Sequence, residues 1–307
     1  MGVRITATAV SRADETRSVV ENSGRAARHC LERAGVRPEQ VGVLINAGVF
    51  RDSNTVEPAV SALIQKAAGI GLEYGVDDPR TFSFDLMNGA IGVLDAVRVG
   101  SAILETGSAS HVLIVSGDTH PSMTRTAATD DFPYASSGAA LLLESTDGPE
   151  GFGRVHSLAG AGGPAVEAYV DTATMGTAGR GLMTVVREPD AEQRLLALAT
   201  EAALAALTDS GHADLTGTAL IASTPSEAFP ARLAESLGIA AESVLLPDLT
   251  DGDPHTATLT QAYDLAAARD GLDGHTHVLF VAAGAGPSAS AVLYGLPGRS
   301  AAAGAAA

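Results

Sequence analysis

Apolar positions along the chain gather into short runs separated by longer amphipathic stretches. The runs VGVLINAG (41–48), TFSFDL (81–86), HVLIVSG (111–117), AALLLES (139–145), GTALIAST (217–224), SVLLPD (243–248) and HVLFVAAG (277–284) have the length and β-branched content of strands. Between them apolar residues recur at helical spacing. This predicts helices over 16–34, 57–68, 92–105, 190–209, 227–237 and 258–268. Strands and helices in alternation predict an α/β fold.

The pattern repeats. LINAG (44–48) leads into a helix that contains Pro58-Ala59 and closes on Ala68-Gly69-Ile70; LIAST (220–224) leads into one that begins Pro230-Ala231 and closes on Leu237-Gly238-Ile239. Asp85-Leu86-Met87-Asn88-Gly89 matches Asp248-Leu249-Thr250-Asp251-Gly252, and SHVLIVSG (110–117) matches THVLFVAAG (276–284). Three matches in one order predict two copies of one α/β unit. The halves fall at 1–150 and 151–298, with 299–307 (RSAAAGAAA) expected to be a disordered tail.

Composition narrows the function classes. The 307 residues are 46% hydrophobic, enough for a substantial core without staples. Cys30 is the single cysteine, so no internal disulfide forms. No Cys/His cluster has zinc-site spacing, and no metal is expected. No apolar run is long enough to span a bilayer, and the first residues lack a secretory apolar stretch. These features predict a cytoplasmic protein. Eighteen arginines against one lysine, in an alanine-rich chain, point to a bacterial source. The net charge of −17 opposes binding to nucleic acid and anionic membranes. Arg25, Arg28, Arg33 and Arg37 fall along one predicted helix and read as a solvated face.

The stretch TFSFDLMNGAIGVLDA (81–96) reads as a strand turning sharply through small residues into a helix. With TGSASHVLIVSG (106–117), YASSGAALLLES (134–145) and AAGAGPSASAVLYGL (282–296), it resembles the thiolase superfamily, and within it the ketoacyl-ACP synthase III branch. The resemblance runs from about Ser18 to Leu296. It implies a duplicated thiolase-like fold, layered α/β/α/β/α with two mixed five-stranded sheets, and a site fed by acyl-CoA or acyl-carrier-protein thioesters without a bound cofactor. Family chemistry uses a cysteine at a helix N-terminus, where the dipole favours thiolate, with a His and an Asn that polarise the thioester carbonyl. By resemblance these positions fall on Ala90, Ser223 and Asp253, so the full set is replaced. The family's N-terminal covering segment would also be largely missing, with about 40 residues ahead of the first clear strand.

What remains is a short roster. Met87, Asn88, Gly89 and Ile91 flank Ala90, and none forms a thioester. Ser223 suits a helix N-cap before Glu227 better than a nucleophile, since STPS holds no base. Asp253 and His255, in DGDPHTAT, form the candidate acid/base pair, with a turn as the plainer reading. Backbone N–H groups at Ala90, Ile91 and Gly284 or Gly286 are the candidate oxyanion or substrate-binding donors.

Two functions follow from the resemblance. The first is a non-condensing partner in a heterodimer with a cysteine-bearing homologue. The second is an acyl-thioester decarboxylase, hydrolase or acyltransferase working through Asp253/His255 without a covalent intermediate. Loss of the set favours the first. An acyl carrier protein is a further possible partner, though its acidity opposes direct docking on so acidic a chain. TFSFDL, with Phe82 and Phe84 alternating against polar neighbours, is the expected dimerisation strand.

Overall fold

The computed structural model describes residues 2–12, 16–54, 57–72, 81–122, 132–171, 173, 183–284 and 286–298. The predicted tail, 299–307, lies outside them. Two mixed sheets form the frame. The first takes the order β1 (Gly2–Ser11), β5 (Ser137–Thr146), β4 (His111–Asp118), β2 (Val41–Asn46), β3 (Phe82–Asp85). In it β2 runs parallel to β3 and β4, while β5 runs antiparallel to β4 and β1.

The second sheet takes the order β10 (Thr218–Ala222), β11 (His277–Gly284), β12 (Ser288–Gly295). Two short strands, β6 (Gly151–Phe152) and β7 (His156–Ala159), share the outer edge of β12. The parallel pair β10/β11 repeats the parallel pair β2/β4, down to Leu220 opposite Leu279 as Leu44 stands opposite Leu113. A separate antiparallel ribbon joins β8 (Val166–Tyr169) and β9 (Thr184–Arg187).

Helices fill the layers according to their apolar stripes. Between the sheets lie α3 (Gly92–Glu105) and α6 (Thr258–Ala268), whose Leu94, Val97, Leu259 and Tyr263 pack with Ile45, Ile114, Ile221 and Phe280. The outer face of the first sheet carries α1 (Val19–Ala34) and α2 (Val60–Ala68); that of the second carries α4 (Ala191–Asp209) and α5 (Phe229–Leu237). Three apolar cores thus alternate with two sheets. Local signals set the boundaries. Ser18 caps α1 by accepting from Glu21 N–H at 3.2 Å, and Gly35 ends it in the left-handed conformation. The carboxylate of Asp85, at the end of β3, accepts the first two N–H groups of α2, from Val60 and Ser61.

Four sequence expectations are corrected. The first strand is β1, not 41–48. Its alternation was masked because a register shift between Ile5 and Ala7 changes which face is buried. Residues 243–248 form no strand: a 3₁₀ turn (Ala241–Ser243) leads to a single bridge from Val244 to Leu220, and Pro247 lacks the N–H to extend it. Arg37 lies beyond α1, in the turn that follows Gly35. Finally, the N-cap of α5 is Ala228, with no side-chain cap, so neither Ser223 nor Ser226 serves that role.

Candidate functional site

The turn after β3 delivers Ala90 one residue ahead of Ile91, which opens α3. Gly89 adopts φ 53°, the left-handed turn that a glycine takes without strain. Asn88 donates through Nδ2 to Asp95 Oδ2 at 2.8 Å, tying the turn to the first turn of α3. Gly284, the last residue of β11, lies against this turn: a Cβ placed on it would stand 3.2 Å from Ala90 N and 3.6 Å from Ala90 Cβ. Of the two glycines offered by sequence, Gly284 therefore faces Ala90. Gly286 spends its N–H on Gly284 O at 3.0 Å. Ile91 is buried in the core between the sheets.

Ala90 and Gly284 line a cavity with Ser223, Asp253, His255, Tyr134 and Arg187. The structure thus brings together Ala90, Ser223 and Asp253, the three positions that the resemblance singled out. Ser223 is buried, and its hydroxyl accepts from Ala283 N–H at 2.9 Å and donates to Ala283 O at 3.2 Å. That pairing extends β10 along β11 and occupies the hydroxyl. Asp253 joins Tyr134 in an isolated bridge, in which Ala135 N–H donates to Asp253 O at 2.8 Å.

His255 has a carboxylate partner, but it is not Asp253. Its Nδ1 lies 3.1 Å from Asp118 Oδ2, at the end of β4. Asp253 instead holds the backbone, its Oδ1 accepting from His255 N–H at 2.8 Å and from Thr224 Oγ1 at 2.8 Å. This grip keeps His255 at φ 50°, a conformation costly for a side-chain-bearing residue. Asp118 is fully buried, yet every lone-pair direction is used. Oδ1 accepts from Val49 N–H (3.0 Å) and Phe50 N–H (2.7 Å); Oδ2 accepts from Thr256 N–H (3.1 Å) and Thr256 Oγ1 (2.5 Å) as well as facing the imidazole.

These contacts decide the protonation states. Burial works to raise the Asp118 carboxyl, but the His255 charge and the donors of His255, Thr256 and Phe50 outweigh it and hold it below its ordinary range. Burial works to lower His255, and the charge and hydrogen bond of Asp118 outweigh that, so the imidazole is raised. The pair is an ion pair, with Nδ1–H of the imidazolium donating to the carboxylate. Asp253 moves the other way: burial raises it against the His255 charge and the N–H and hydroxyl donors. Tyr134 stacks on the imidazole with ring centroids 4.2 Å apart, and burial pushes its phenol up to about 12. Phe50 and Phe132 complete an aromatic wall.

Asp118 and Arg187 escaped the sequence reading. Asp118 carried one signal, an acid closing the apolar run HVLIVSG. Arg187 carried none, since it lies outside every stretch that the repeat matched or the resemblance quoted. Among the described residues no group of three or more His, Cys, Asp or Glu side chains forms a metal site, and no helix is long and apolar enough to cross a membrane.

No family model matches the chain. It is 34% identical over 110 residues to a β-ketoacyl-ACP synthase III of Sphingopyxis alaskensis, a match covering 36% of this chain and 30% of that one. An acyl-CoA:acyl-CoA alkyltransferase of Xanthomonas campestris is 27% identical over 95 residues, 31% of this chain and 25% of the relative. These matches span less than a third of either relative's length. Solved structures cover nearly the whole chain. The priming β-ketosynthase of the R1128 polyketide pathway superposes with TM-score 0.79 at 18% identity over 97% of both chains. The synthase III of Thermus thermophilus superposes with TM-score 0.75 at 20% identity, over 94% of this chain and 87% of that one. The chain has a thiolase-like fold, the fold of these ketosynthases. Xanthomonas campestris OleA with bound lauric acid and lauroyl-CoA shares this synthase III-like fold, with TM-score 0.74 at 16% identity over 96% of this chain and 99% of that one.

Proposed function

We propose that this synthase III-like chain is a non-condensing partner subunit, paired with a cysteine-bearing ketosynthase-like homologue in acyl-thioester metabolism. The observation that carries the reading is the composition of the cavity around Ala90. A methyl group occupies the turn where the resemblance places a thiol, and the one hydroxyl at a replaced position, on Ser223, is held by Ala283. The cavity measures about 30 Å³, room for about two waters and not for an acyl chain. An open sheet edge supports the pairing. β3 ends the first sheet among the described residues, Phe82 is 65% exposed and Met87 48% exposed. Acyl-CoA or acyl-carrier-protein thioesters are then substrates of the pair, and the carrier docks on the partner.

A specific observation favours a second reading. The Asp118–His255 pair presents a buried, oriented imidazole at the cavity, as general acid/base catalysis requires. In that reading Asp118, not Asp253, orients the base, and the chain acts on thioesters without a covalent intermediate.

Co-expression with the cysteine-bearing homologue from the same genome tests the two. The partner reading expects a 1:1 complex by light scattering, condensation dependent on this chain, and no mass increase on this chain after exposure to acyl-CoA. In that complex His255→Ala changes turnover less than tenfold. A fall of about 10² to 10⁴ with assembly intact establishes the second reading instead. A chain that forms no complex and leaves the homologue's rate unchanged refutes the first.

A further inference from the structure

The cavity beside Ala90 contains an arginine that forms no salt bridge among the described residues. Arg4, Arg12, Arg33, Arg98, Arg194 and Arg232 each pair with a carboxylate, as expected in a chain of net charge −17. Arg187, at the end of β9, forms no ion pair among the described residues; its Nη1 donates to Pro225 O at 2.5 Å. Both Arg187 and Pro225 line the cavity. Opposite them stands His255, whose Nδ1 is committed to Asp118 and whose Nε2 has no hydrogen-bond partner among the described residues. The Tyr134 phenol lies between, near the guanidinium.

The lining is therefore biased toward donors. The one acidic side chain there, Asp253, already accepts at Oδ1 from Thr224, from His255 N–H and, at 3.4 Å, from Thr258. Asp118 and His255 offset each other's charge, and the Asp253 carboxyl feels the Arg187 guanidinium through space without forming a salt bridge to it among the described residues. The volume of about 30 Å³ corresponds to about two waters, the size of one carboxylate group. A guanidinium at one end and an N–H at the other is an arrangement that recognises a carboxylate and rejects an amide of equal shape.

We infer that this cavity is a binding site for a single carboxylate group, presented by a small organic acid or by the far end of a dicarboxylic acyl thioester, with Arg187 as its anchor and His255 Nε2–H as its second donor. The assignment does not depend on whether the chain has a partner, because every group named belongs to this chain.

Ligand-observed NMR titration of the full chain, in the oligomeric state in which it purifies, tests this with acetate and succinate against acetamide and chloride at matched ionic strength. Acetate and succinate should bind, acetamide and chloride should not. Arg187→Met should weaken binding at least tenfold, Arg187→Lys less, and Arg154→Met, in a separate surface groove, not at all. Succinyl-CoA set against butyryl-CoA distinguishes the sources: preference for succinyl-CoA assigns the anion to a thioester, equal binding to a free acid. Equal response to acetamide or chloride overturns the site. So does unchanged acetate affinity in a folded Arg187→Met or, should that variant fail to fold, in Arg187→Gln.

Discussion

Replacing Asp118 by Asn tests the electrostatic centre of this molecule. The side chains have the same shape, so packing is preserved and the change is chemical. Asp118 meets five donors, from Val49, Phe50, Thr256 (two) and His255. The amide keeps one oxygen and must turn an NH₂ toward either the Val49/Phe50 pair or the Thr256/His255 group. At least two hydrogen bonds to a charged acceptor are lost, each contributing roughly 1.5–3 kcal/mol, and a buried ion pair is broken from one side, which costs about 3–5 kcal/mol. These overlap, since the imidazole can release its proton, so the expected loss is about 3–5 kcal/mol. That is a large part of a stability on the order of 5–15 kcal/mol. At roughly 2–4 °C per kcal/mol, the melting temperature should fall by about 10 °C. Urea unfolding at pH 6, with the slope unchanged, gives the free energy directly. The double variant Asp118→Asn/His255→Gln should lose less than the sum of its singles, because the two share one interaction. A single-variant loss below about 1 kcal/mol, or additive losses, would show that the pair is not the ion pair described above.

Two further outcomes follow from the same geometry. The folded-state pKa of His255 is raised, so its contribution to stability is full below the ordinary imidazole range and is lost as pH rises through the raised value; Asp118, depressed, contributes above the ordinary carboxylate range and loses its contribution only as pH falls through the lowered value. Asp253, Arg187 and Tyr134 also face the ring, but their side chains stay in place when only the imidazole is changed, so the alkaline decline in melting temperature should be steeper in wild type than in His255→Gln; parallel curves contradict it. Ser223→Ala leaves Ala283 N–H buried without its acceptor and should cost about 1–3 kcal/mol in urea unfolding, whereas a neutral result would mean that the backbone pairs without the hydroxyl.

Much of this architecture was legible because it is local or repeated. The strands at 41–46, 111–118 and 277–284 and the helices at 92–105 and 258–268 declared themselves by periodicity, and the family resemblance placed Ala90, Ser223, Asp253 and Gly284 on loops that line one cavity. What stayed hidden depends on contacts between distant residues. Asp118 and His255 lie 137 positions apart, and the nearer carboxylate, Asp253, drew the assignment although its oxygen serves the backbone. The bulge in β1 reversed an alternation that otherwise reads as a strand, and at 243–248, where composition suggested a strand, only a single bridge at Val244 forms ahead of Pro247.

Cys30 has a practical consequence for any complex this chain enters. It is wholly buried, its Sγ–H donates to Ala7 O at 3.2 Å, and burial pushes its thiol up to about 12. A folded subunit so built is silent to thiol-directed chemistry. Alkylating probes, fluorescent maleimides and electrophilic inhibitors added to an assembled pair will therefore report on the other subunit alone, so the reactive cysteine of a heterodimer can be counted and timed without mutating this one.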